Sequence, residues 1–121
     1  MVELVDVLFE QHKAGRLLTD ITLQLSNPES IKTPANRSRL ASSLGDFIHM
    51  YEPHAAREDT ILFPAFHEMM PEKQYDRLGD MFEKKENELF GAKGFEKTVD
   101  RVASIEKKLG IYDLKQFTSA A

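Results

Sequence analysis

The sequence predicts an all-α protein. Three observations carry this. Apolar residues recur at three- and four-residue spacing along most of the chain. No stretch sustains polar–apolar alternation, and no Asn-Gly or Asp-Gly pair offers a hairpin turn. Proline and glycine stand where such helices would start or stop.

Four helical segments follow. The first runs from Val2 to Leu25, with Val5, Leu8, His12 and Gly15 on one stripe and Leu4, Leu18, Ile21 and Leu25 widening it. Ser26-Asn27-Pro28 ends it, and a polar loop leads to Thr33. The second opens with Thr33 as N-cap and Pro34 in the first turn. Its stripe is Leu40, Leu44, Phe47, Tyr51, His54, Glu58 and Leu62, and it stops between Phe66 and Met70. Pro53 lies inside this pattern and predicts a kink before His54, because it removes a backbone donor; Pro64 is a second break. The third helix starts at Pro71, carries Tyr75, Leu78, Phe82, Glu86 and Leu89 on one face, and ends at Gly91 and Gly94. The fourth runs from Phe95 to Leu109 through Val99, Val102 and Ile105, and Gly110 caps it. The tail from Ile111 to Leu114 is expected to pack back.

The 121 residues suffice for one domain with a modest core, so residues 1–121 are expected to form a single domain. A net charge of −4 with no basic stripe argues against a nucleic-acid partner. The absence of cysteine excludes disulfides, thiolate catalysis and iron–sulfur ligation. No apolar run is long enough to span a membrane, and the first residues lack the pattern of a signal peptide, so a cytoplasmic location is expected. No nucleophile elbow, P-loop or dinucleotide fingerprint is present, and the residues identify no enzyme activity.

The informative residues are His54 and Glu58. They are one helical turn apart, with Cβ atoms about 6 Å from each other, and they continue an apolar stripe. An imidazole and a carboxylate so placed build transition-metal sites in helix bundles. A plain intrahelical ion pair is the competing reading. His12 sits on the inner stripe of the first helix, where a lone His is more often a hydrogen-bonded core residue. Gly15 leaves room for close approach of a neighbouring helix or a metal centre. Glu86 is an additional candidate carboxylate ligand, set against a Glu at the rim of the bundle. His49 and His67 fall out of phase and read as surface residues.

The run Phe47-Ile48-His49-Met50-Tyr51-Glu52-Pro53-His54-Ala55-Ala56-Arg57-Glu58-Asp59-Thr60-Ile61-Leu62-Phe63-Pro64-Ala65-Phe66 resembles the second half of the bacterial hemerythrin-like, HHE cation-binding domain. So do Glu10-Gln11-His12-Lys13-Ala14-Gly15-Arg16 and the stretches Gly94 to Lys97 and Gly110 to Leu114. The likeness covers nearly the whole chain. It implies a four-helix bundle holding two oxo- or hydroxo-bridged irons, with manganese or zinc as alternatives. The family element is a His on one helix followed by His-x-x-x-Glu on the next, and a full domain contains it twice. Here it occurs once. The resemblance makes His12 and His54 nitrogen ligands, Glu58 a bridging carboxylate and Tyr51 a wall of the cofactor pocket. Asn87 stands beside Glu86 where relatives often carry a His.

The missing half implies a homodimer, in which two copies rebuild the bundle around a two-fold axis. Each copy would bring two His and one Glu, leaving positions for a bridging oxygen and for dioxygen or a related small ligand. Iron holding and redox sensing are further expectations. The alternatives are a truncated remnant, or a metal-free helical interaction module in which the same residues set dimer register.

Overall fold

The computed structural model describes residues 1–119, and among them every regular element is helical. Two compact units make up the chain, the first from Met1 to Met70 and the second from Pro71 onward. The length had predicted one domain. No described helix is long and apolar enough to cross a membrane.

The first unit is an antiparallel helix pair. Helix α1 spans Val2–Leu25 and α2 spans Pro34–Arg57, joined through a single 3₁₀ turn at Ser30–Lys32. Thr33 occupies the N-cap position of α2 with extended backbone, but its side chain makes no capping bond. Arg37 closes this corner instead, its Nη1 donating to the carbonyls of Ile31 at 2.8 Å and Lys32 at 3.0 Å.

Helix α2 passes through Pro53, and the helix changes form next to Pro64, the second break the sequence offered. Residues Glu58–Leu62 form a π turn, followed by α3 at Phe63–Glu68. The cause is Pro64, in the first turn of α3. Its ring displaces the carbonyl of Thr60, and it offers that carbonyl no N–H. The helix widens rather than stopping: the amide of Phe63 reaches back five residues to the Glu58 carbonyl.

Few side chains are fully covered. Leu8 and Leu25 are the buried apolar residues, and Gly15, Ser43 and His54 complete the buried set of this unit. Gly15 lies against side chains of α2. A Cβ there would stand 3.1 Å from Cε of Met50 and 3.7 Å from the Phe47 ring. Toward the other end, Ser43 Oγ donates to the Leu18 carbonyl at 3.1 Å and lies 3.3 Å from Thr22 Oγ1. This buried cross-helix bond fixes register. Ser43→Ala is expected to cost about 1 kcal/mol, read as a lower urea midpoint, because it removes the hydrogen bond that ties α2 to the Leu18 carbonyl of α1.

The second unit pairs α4 at Glu72–Phe90 with α5 at Gly94–Leu109. Gly94 is required at their corner, since a Cβ would lie 2.6 Å from Cβ of Phe90. The end of α5 is closed by the amides of Gly110 and Ile111 on the last turn, as the capping glycine predicted. The tail packs back as expected: Tyr112 lies under Lys107 Nζ at 4.5 Å from the ring centroid, and Gln116 Nε2 donates to the Gly110 carbonyl. The stripe residues Phe82, Leu89, Val99, Val102 and Ile105 all remain exposed.

Candidate metal centre

The helix pair carries one cluster of ligand-type side chains. His12 comes from α1, one turn beyond buried Leu8; His54 comes from the last turn of α2; Glu58 is the first residue of the π turn. The sequence had placed these three on inward stripes, and they do meet. His12 Nε2 and His54 Nε2 are 3.0 Å apart. Glu58 Oε1 lies 3.3 Å from His54 Nε2, one turn before it, and 3.5 Å from His12 Nε2. Among the described residues this is the group able to hold a metal ion.

Burial grades across it. The side chain of His54 is 1% exposed, that of Glu58 19% and that of His12 49%. The cluster is closed on the α2 side and open on the α1 side. Two exposed aromatic rings flank the opening. Phe9 meets His12 edge-on at 6.4 Å between centroids, and Tyr51 stacks on His54 at 5.9 Å and on Phe47 at 5.4 Å. Tyr51 is therefore where the sequence expected it, beside the candidate site.

Gln11 was not singled out from the sequence. Its Oε1 lies 3.0 Å from His54 Nδ1. An amide oxygen only accepts, so the His54 Nδ1 carries the hydrogen and donates it. In the neutral ring Nε2 is then a bare lone pair, aimed at His12 Nε2 and Glu58 Oε1. A hydrogen on His12 Nε2 can bridge toward one of these neighbours, but the lone pairs of His54 and Glu58 still face each other at 3.3 Å. Three ligand-type atoms, two imidazole nitrogens and a carboxylate oxygen, converge on one point as in a cation site. The fit is good on two counts. Two imidazole nitrogens and a carboxylate oxygen, without thiolate, are the donors of non-heme iron. With metal–ligand bonds of about 2.1 Å, neighbouring donors lie about 3.0 Å apart in octahedral and about 3.4 Å apart in tetrahedral coordination. Two of the observed edges, 3.0 and 3.3 Å, fall in that range, and the third, 3.5 Å, lies just beyond it.

Glu86 sits exposed on α4, in the second unit. His49 is exposed on α2, as its phase predicted, and His67 is half-buried on α3.

No family model matches the chain, and no solved structure matches it. It is 42% identical over 118 residues to an uncharacterized protein of Mycobacterium bovis, a match covering 98% of this chain and 46% of the relative. Uncharacterized proteins from two strains of Mycobacterium tuberculosis match with the same identity and coverage. The chain spans about half the length of these curated relatives.

Proposed function

We propose that this chain is a metal-binding protein of the hemerythrin-like type, holding iron with His12, His54 and Glu58 in a di-iron site that two copies complete. The observation that carries the reading is the convergence of three potential ligand atoms within 3.5 Å of one another, one of them on a histidine buried to 1% exposure. His12 and His54 serve as terminal nitrogen ligands. Glu58 reaches the same point from the next turn and is the carboxylate free to bridge. Tyr51 walls the opening. Bound iron would supply reversible coordination and redox chemistry toward dioxygen or a related small ligand.

Three features support the second copy. Three protein donors fill half of an octahedral shell. The opening lies on the exposed face of α1, rimmed by Phe9 at 61% and Tyr51 at 51% exposure, which a partner would cover. The mycobacterial relatives are about twice as long as the stretch they share with this chain, which leaves room for a second half on one polypeptide.

Elemental analysis with in-line light scattering tests this. The expected result is about one iron per chain, from one His-His-Glu set per chain, in a species of twice the chain mass. A dimer that takes up no iron, manganese or zinc would leave the second reading, a polar network that registers a helical interaction module. One observation favours that alternative: no described buried side-chain nitrogen or oxygen lacks a partner.

A further inference from the structure

We propose that Gln11 is a positioning residue that holds His54 in the Nδ1–H tautomer and so presents its Nε2 lone pair to His12 and Glu58. The purpose of this arrangement rests on the metal-binding reading; the tautomer itself is a property of the metal-free chain.

The argument starts from burial. His54 is 1% exposed, so solvent competes little for its ring nitrogens. The hydrogen bond made at one ring nitrogen sets which of the two is protonated. Here the Nδ1 partner is not a carbonyl of its own helix. It is the side chain of Gln11, across the helix pair at 3.0 Å. Consecutive residues of α1 thus contact both nitrogens of one ring, Gln11 at Nδ1 and His12 at Nε2. If Nδ1 lost its acceptor, the hydrogen would move to Nε2, where the Glu58 carboxylate at 3.3 Å would accept it. That tautomer blocks the nitrogen a metal needs. The Gln11 carbonyl opposes this shift and adds no charge. A carboxylate at the same place would keep the acceptor and make the imidazole a more basic ligand.

The test compares the wild-type chain with Gln11→Met and Gln11→Glu. Methionine is near-isosteric and a good helix former but its thioether is only a weak acceptor; glutamate restores a strong one. Two-bond proton–nitrogen correlation spectra of histidine-labelled, metal-free protein report which ring nitrogen of His54 is protonated. The expected pattern is Nδ1–H in the wild type and in Gln11→Glu, and Nε2–H in Gln11→Met. Cobalt(II) titrations should then show a loss of about 10–100-fold in affinity for Gln11→Met, largely recovered in Gln11→Glu. An Nε2–H signal in the wild type, or an unchanged tautomer in Gln11→Met, overturns the proposal. Circular dichroism checks that the variants fold, and the wild-type tautomer, which needs no variant, still tests the proposal if Gln11→Met does not. Should the wild type take up no cobalt or iron while the tautomer still follows residue 11, the metal-binding reading fails and the positioning role stands.

Discussion

His54→Ala is expected to abolish metal uptake and to destabilise the metal-free chain by about 2–4 kcal/mol. The two effects have separate causes. The first is loss of a ligand, and it should exceed the roughly 10–100-fold expected from disturbing a residue behind a ligand. The second follows from burial. His54 is the largest fully buried side chain, and its removal opens a cavity and leaves Gln11 Oε1 without its donor. Glu58→Ala separates the effects. The Glu58 side chain is 19% exposed and begins a turn whose bonds are made by its backbone, so metal uptake should vanish while the urea midpoint moves little. Metal content and denaturation on the same preparations read both. Equal destabilisation by the two variants, with no metal in the parent, would make the cluster purely structural.

Phe9→Lys is expected to convert a dimer into monomers and to lower metal content with it. Phe9 is 61% exposed and meets His12 edge-on, so within one chain it contributes little to the core. In a two-fold interface the same residue enters from both sides, and the substitution places two cations against apolar surface. A cost of about 2 kcal/mol or more, or roughly 30-fold in dissociation, is typical of losing an aromatic anchor. Light scattering across a dilution series measures it. A mass that stays doubled would place the interface on another face. Because Phe9 is not a ligand, a monomer that keeps its metal would show that one chain suffices for the site.

The helix bounds were legible in the sequence because punctuation and period agree. Val2–Leu25, the start at Pro34 and the cap at Gly110 fall where they were expected. His12, His54 and Glu58 were legible for the same reason: each continues an apolar stripe at α-helical spacing. Gln11 was not. It lies 100° around the helix from His12, so a stripe that takes one inward assigns the other to the side. Its long side chain reaches around that angle. Ser43 escaped notice because a small hydroxyl looks the same in sequence whether it faces water or a neighbouring carbonyl. The stripes themselves promised more core than the chain delivers. Leu44 and Tyr51 continue the pattern of α2, yet both are exposed. Hydrophobic periodicity shows which face seeks cover, but not whether the cover belongs to the same chain.

The π turn at Glu58–Leu62 has a consequence for phase. A turn that closes on the fifth residue uses one residue more than an α turn. Each residue advances an α-helix by about 100°, so everything after the turn is carried around the axis by about that much relative to an unbroken helix. The segment before it answers to the site, since His54 must face His12. The segment after it, Phe63–Glu68, is released from that obligation and can turn its own apolar residues, Phe63 and Phe66 among them, toward a different neighbour. The widened turn acts as a swivel in one continuous rod: it lets two surfaces be oriented independently without the entropy of a flexible loop between them.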